Sequence, residues 1–171
     1  MVAIVEAPEN RVSWNLKALN LAESSSDERA RGWPGSLYNS IGWDYFEGGM
    51  FQEALFMFEK ALDFRREQGD PASVAVATWA VAKTLRMMGH TEEALDMQRQ
   101  LFDEYQSNGK KNGLVYEEIA ECLLTIGNEA EAEGWFAAAY NELSRDPTVA
   151  NDPDRLVRMK TLGKVGLQQQ A

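Results

Sequence analysis

Residues 37–62 read LYNSIGWDYFEGGMFQEALFMFEKAL, and this stretch decides the fold. Apolar or small side chains recur in its first half at i, i+3, i+4 and i+7, a spacing that places them on one face of an α-helix. They are Tyr38, Ile41, Gly42 and Tyr45. The glycines at 48–49 end this helix, because glycine adopts the left-handed backbone of a helix end without steric cost. A second helix follows at once, with an inner face formed by Ala54, Leu55, Phe58, Ala61 and Leu62.

The helix–turn–helix unit recurs twice more along the chain. Residues 77–102 read ATWAVAKTLRMMGHTEEALDMQRQLF, and residues 115–140 read VYEEIAECLLTIGNEAEAEGWFAAAY. Aligned without gaps, the three stretches place Gly49, Gly89 and Gly127 in one column, at offsets of 40 and 38 residues. The sequence therefore predicts three repeats, over residues 35–68, 72–108 and 111–144.

Small residues alternate with aromatic residues in this pattern for a packing reason. Two helices joined by a short turn pack antiparallel and close, so a small side chain such as that of Gly42 makes room for a large ring such as that of Phe58. These columns resemble the tetratricopeptide repeat (TPR), in an extended form of about 40 residues. Later repeats depart from this pattern, since Gln98 occupies the position of Phe58. The resemblance covers residues 35–144 and implies an all-α fold, an antiparallel helical solenoid of three repeats with flanking N- and C-terminal helices.

Two flanking helices complete the predicted architecture. Residues 10–23 form a leading helix, in which Ala18 and Leu19 match the Ala-Leu pair at 61–62. We interpret this helix as the second half of an incomplete repeat. Residues 1–9 are expected to be a loose terminus, and residues 1–171 a single TPR-like domain.

The capping helix is predicted over residues 153–165. Asp152 supplies an N-cap, and Pro153 occupies the first helical position. The segment carries more basic than acidic residues, namely Arg155, Arg158, Lys160 and Lys164 against Asp152 and Asp154. A basic helix of this kind can contact membranes or nucleic acid. We favour a cap whose charges face an acidic body, because a solenoid needs a polar terminal cap.

Composition excludes several classes of function. The chain of 171 residues has 27 Asp and Glu against 17 Lys and Arg, for a net charge of −10. This charge argues against binding nucleic acid or anionic membranes, which both attract basic surfaces. No stretch approaches the ~18 apolar residues of a membrane span, and the start lacks the features of a signal peptide. With a lone cysteine, we expect a cytoplasmic protein without a leader.

The scarcity of histidine and cysteine argues against an enzyme. One of each is present, so we expect no metal site built from these residues and no cofactor. His90 falls in the turn of the second repeat, with no nucleophile assignable to it by spacing. Cys122 lies near Glu118 and Glu121, which disfavour a reactive thiolate.

A partner-binding groove is the functional prediction. The resemblance implies that the first helix of each repeat lines the concave side of the solenoid. Large apolar and basic residues fall on the faces of these helices that do not pack within a repeat, and such residues often anchor binding. The predicted groove comprises Asn39, Trp43, Phe46, Trp79, Lys83, Arg86, Glu117 and Glu121. Its expected occupant is a protein or peptide segment with an acidic side chain or a C-terminal carboxylate at Lys83 and Arg86.

Several alternatives stay open at this point. The flanking helices could cover the groove, or its aromatic residues could pack between neighbouring repeats. The aromatic surface could instead form a homodimer, which would make the protein an oligomerisation module. A helical-repeat sensor of a small signalling ligand is the third candidate. The TPR clamp that binds chaperone C-termini is not expected, since Trp43 replaces an asparagine of that clamp and Glu117 and Glu121 oppose a carboxylate.

Overall fold

The computed structural model describes residues 8–149 and 151–166, and all regular secondary structure in these ranges is helical. The predicted all-α class is confirmed. The chain divides into two compact units, residues 1–88 and 89–171, termed unit 1 and unit 2. The boundary lies in the turn of the second predicted repeat. Most of the predicted loose terminus, residues 1–7, lies outside the described residues, and the single-domain organisation stays a prediction.

Unit 1 contains a short 3₁₀ turn over residues 30–32 and four α-helices within the described residues. Their bounds are α1 Pro8–Ser24, α2 Pro34–Glu47, α3 Phe51–Gln68 and α4 Pro71–Met87. The start of α4 is fixed by its cap, because the Asp70 carboxylate accepts the backbone N–H groups of Ala72 at 3.3 Å and Ser73 at 3.1 Å. Proline at its first position has no N–H that needs a partner.

Each helix of unit 1 packs on the next one along the chain. At the crossing of α2 and α3, a Cβ atom added to Gly42 would lie 2.6 Å from the ring of Phe58. This contact confirms why the repeat needs a small residue there, since Phe58 is fully buried beneath α2. The helix α1 is joined to α2 by Arg11, whose Nε lies 2.9 Å from Oδ1 of Asp44.

Unit 2 contains the other four helices of the described chain. Their bounds are α5 Thr91–Ser107, α6 Gly113–Thr125, α7 Glu129–Leu143 and α8 Pro153–Leu162. Consecutive helices again pack together, and Ile119, Phe136 and Met159 are buried between them. The glycine column behaves as predicted, with positive φ at Gly49, Gly89 and Gly127 of 73°, 89° and 81°.

The capping helix α8 is shorter than the predicted 153–165. It ends at Leu162, and a turn follows from Gly163. A Cβ at Gly163 would lie 2.5 Å from the backbone nitrogen of Ala137, so only glycine permits this approach to α7. Among the described residues, no helix is long and apolar enough to cross a membrane.

Candidate functional site

Six of the eight predicted groove residues lie on α2 and α4 of unit 1, and we call this set the aromatic face: Asn39, Trp43, Phe46, Trp79, Lys83 and Arg86. All six side chains are half-buried. The rings of Trp43 and Trp79 approach to 5.8 Å between centroids and are tilted by 40°. The ring of Phe46 meets Trp43 edge-on at 5.2 Å. The structure thus brings the three predicted aromatic residues into one cluster.

Part of this cluster belongs to the packing of unit 1. The ring of Trp43 lies 5.0 Å from that of Phe58 on α3, which is fully buried. Phe46 in turn meets Phe51 at 5.2 Å. Packing against α3 therefore accounts for part of the surface of Trp43 and Phe46, and both side chains remain partly exposed.

Two polar groups accompany the rings of the aromatic face. The ammonium nitrogen of Lys83 lies 5.3 Å from the centre of the Trp79 ring, one helical turn away on α4. The side-chain oxygen of Asn39 on α2 is buried and accepts no hydrogen bond from the described residues. A buried acceptor without a donor is costly, so a donor supplied by a bound segment would be favourable there.

The remaining two groove residues, Glu117 and Glu121, lie on α6 of unit 2 and are held by the chain's own capping helix. Nε of Arg155 donates to Oε1 of Glu117 at 2.8 Å, and a second guanidinium nitrogen donates to Oε2. Arg158 binds both oxygens of Glu121 in the same two-pronged way, with Nη2 3.1 Å from Oε2. We call these four residues the clasped face. The sequence left open that a flanking helix could cover the predicted groove. In unit 2, the flanking helix α8 does contact the two predicted groove residues of α6.

Burial and electrostatics agree at the clasped face. Glu117 is buried, and the guanidinium of Arg155 has a pKa raised above its usual value, chiefly by its hydrogen bond to Glu117. Sequence reasoning missed both arginines as partners of the groove carboxylates. The available signal was spacing, since 155 and 158 share a helix face, as do 117 and 121.

The two side chains considered for catalysis, His90 and Cys122, lie in different environments. His90 is exposed in the turn before α5, and Cys122 is fully buried on α6. Among the described residues, no group of three His, Cys, Asp or Glu side chains is arranged to hold a metal ion.

Comparison with solved structures identifies the fold. The chain is similar to BtubC (BKLC) from P. vanneervenii, with a TM-score of 0.65 and 16% identity over 92% of this chain and 72% of that one. It is also similar to a Podosopora anserina putative kinesin light chain with nearly identical TPR-like repeats, in two structures with TM-scores of 0.63 and 0.61. These two share 16% and 15% identity with it and are matched over 79% of their length, against 92% of this chain.

The sequence comparisons add no closer relationship. No family model matches the sequence, and no curated protein matches it. At such low identities the structural likeness establishes the fold alone, and the chain has the TPR-like helical solenoid fold that its repeats predicted.

Proposed function

We propose that the protein is a non-enzymatic scaffold that binds a segment of a partner protein on the aromatic face of unit 1. The observation that carries this proposal is the half-buried Trp43–Trp79 pair, with centroids 5.8 Å apart. Large rings that are fixed by packing on one side and accessible on the other lose little entropy when they bind. Aromatic side chains in this state are the usual anchors of protein interfaces.

The polar groups of the aromatic face define the chemistry of the partner. Lys83 beside Trp79 favours a carboxylate, from an acidic side chain or a chain terminus. The buried oxygen of Asn39 favours a backbone N–H donor. Together these groups fit a peptide segment with an apolar residue, a nearby carboxylate and an accessible backbone.

The proposed absence of catalysis has separate support. An enzyme that used His90 would need a nucleophile and an orienting group within hydrogen-bond reach. His90 is exposed in a turn, and the Cys122 thiol is buried. The cytoplasmic location and the absence of a cofactor stay predictions from the sequence.

Selection from a displayed library of random peptides with free C-termini tests the proposal. Selected peptides should contain an apolar residue close to a carboxylate and bind the wild type. Lys83→Gln and Asn39→Leu should each weaken this binding about tenfold, since a charge-assisted and a buried hydrogen bond are removed. Trp14→Ala is the matched control, because Trp14 lies on α1 outside the aromatic face and is 62% exposed.

Two results would overturn the proposal. Selected peptides could bind equally well to all variants, or the library could yield no binder to a correctly folded protein. Circular dichroism melts of each variant establish folding. Sedimentation of the wild type distinguishes the alternative of a homodimer, whose dissociation by Asn39→Leu would assign the aromatic face to self-association.

A further inference from the structure

An open cleft on unit 2 has three aromatic rings in its wall. The rings of Phe102 on α5 and Trp135 on α7 meet edge-on, with centroids 4.9 Å apart. Tyr116 of α6 lies 5.8 Å from each of them. The cleft measures about 340 Å³, and its wall is completed by Gln106, Lys111, Ala138, Asn141 and Glu142. We call it the aromatic cleft.

The size and openness of the aromatic cleft favour a side chain over an enclosed small molecule. Its volume lies at the lower end of the range for ligand pockets, about 300–1,000 Å³. Phe102 and Trp135 are half-buried, so their rings pack against each other and keep part of their surface exposed. An apolar side chain inserted between α5 and α7 would cover the remaining ring surface.

Two ion pairs join α7 to α5 and to the segment after it, one on each side of the rings. Nη2 of Arg99 lies 2.9 Å from Oε1 of Glu131, and Nζ of Lys111 lies 3.4 Å from Oε1 of Glu142. Arg99 and Lys111 are therefore each matched by a carboxylate. These pairs contribute no net charge to the surface.

The net charge of this surface comes from other carboxylates of α5. Asp96 and Asp103 are exposed and fall on one helical stripe with Arg99 and Gln106, at i, i+3, i+7 and i+10. Neither aspartate forms an ion pair with any of the described residues, and neither does the exposed Glu104. The aromatic cleft is thus an apolar recess beside an uncompensated negative stripe.

We propose that the aromatic cleft binds a basic amphipathic helix of a partner protein. An apolar side chain of that helix fills the recess between Phe102 and Trp135, and its lysine or arginine side chains lie opposite Asp96 and Asp103. The two aspartates are seven residues apart on α5, or about 10 Å along the helix axis. A partner helix with basic residues two turns apart on its apolar flank matches this spacing. This binding site lies in unit 2 and is independent of the one proposed for unit 1.

The test uses the full-length protein and a synthetic helical peptide of leucine and lysine with one phenylalanine, whose lysines are placed two turns apart. A second peptide has glutamate in place of every lysine. Calorimetry should detect binding of the basic peptide alone, and its affinity should fall as salt screens the charges. The indole N–H signal of Trp135 should shift in NMR spectra as the peptide is added.

Three variants separate the cleft from diffuse attraction to an acidic protein. Asp103→Lys should weaken binding by about tenfold or more, because it places like charges opposite each other. Ala138→Gln fills the recess without changing the charge and should weaken binding by a similar factor. Asp63→Lys is the matched control, since it makes the same charge change at an exposed position on α3 of unit 1 and not on α5, and it should leave the affinity within about twofold.

The proposal is overturned if Asp63→Lys and Asp103→Lys weaken binding equally, or if the Trp135 signal does not move at saturation. It is also overturned if the glutamate peptide binds as well as the lysine peptide. Ala138→Gln must retain the wild-type melting curve, and Asp103→Lys supplies the answer if it does not.

Discussion

In both units, the first helix of a repeat has equivalent positions that point away from its packed face, but the side chains at these positions make different contacts in the two units. On the aromatic face of unit 1, Trp43 and Trp79 contact each other and remain half-buried. On the clasped face of unit 2, the corresponding helix α6 presents Glu117 and Glu121 to the arginines of α8. The repeat pattern determines which positions lie outside the packed face of a helix. The residue types at those positions determine whether they contact other aromatic rings or form ion pairs with another helix.

This difference implies different physical sensitivities. Apolar contact between rings depends on buried area and responds little to salt at ordinary concentrations. Ion pairs near a surface are screened over about 8 Å at physiological ionic strength. Perturbing one face at a time should therefore separate a salt-independent contribution from a salt-dependent one.

The largest effect is expected from Trp43→Ala in the aromatic face. The substitution removes ring contacts with Phe46, Phe58 and Trp79. We expect the free energy of unfolding to fall by about 3 kcal/mol, at the low end for a core aromatic residue because the ring is only half-buried. Urea unfolding at low and high salt should give the same difference. Trp14→Ala, at an exposed ring, should change stability by less than about 0.5 kcal/mol, and equal losses for both variants would contradict this account.

A smaller effect is expected from Glu117→Ala in the clasped face. This change leaves the Arg155 side chain, which is 32% exposed, without its carboxylate partner. We expect a loss of about 2 kcal/mol, below the range for a fully buried pair. Glu121→Ala should cost less, about 1 kcal/mol, because Arg158 is 48% exposed and stays hydrated. Urea unfolding measures both losses, and high salt should reduce the second one more.

A double-mutant cycle of Glu117→Ala with Arg155→Ala isolates the interaction between the two side chains. A positive coupling that decreases with salt is expected. If the coupling is zero, the Glu117–Arg155 pair does not help to hold α8, and the electrostatic part of the comparison rests on Glu121 and Arg158 alone.

Local signals predicted the fold well, and nonlocal contacts limited the prediction of the site. The turns at Gly49 and Gly127 and the cap at Asp152 depend on neighbouring residues, so spacing was enough to place them. The periodicity also placed Trp43 away from the inner stripe of α2. It could not predict that so large a ring reaches Phe58 on the next helix, because periodicity gives a direction and not a reach.

The clasped face illustrates the same limit over a longer distance in sequence. Glu117 and Arg155 are 38 residues apart, and their pairing depends on how α8 turns back over unit 2. The sequence shows that one residue is acidic and the other basic, but it does not show that they form an ion pair. The aromatic cleft was missed for a related reason, since its three rings come from three different helices.

The smallest predicted effect concerns pH and the N-cap of α4, the helix that carries Trp79 of the aromatic face. The pKa of Asp70 lies below its usual value because the Ser73 hydroxyl donates to its carboxylate, as do the backbone N–H groups of Ser73 and Ala72. A carboxylate whose pKa is lower in the folded chain stabilises the fold above its unfolded pKa of about 3.9. That stability is lost as the pH falls through the folded pKa.

Asp70→Asn keeps a capping acceptor and removes the titration. The variant should be slightly less stable than the wild type at neutral pH, because a charged N-cap also favours the helix dipole. The difference should vanish on acidification between about pH 5 and pH 2, measured as the midpoint of urea unfolding of the full-length protein. Asp63→Asn, at an exposed carboxylate of α3 without a capping role, is the control. If Asp63→Asn shows the same pH dependence, the loss of stability on acidification reflects the overall charge of the protein and not the cap of α4. The acid sensitivity of the helices that carry the aromatic face would then be set by the acidic surface as a whole.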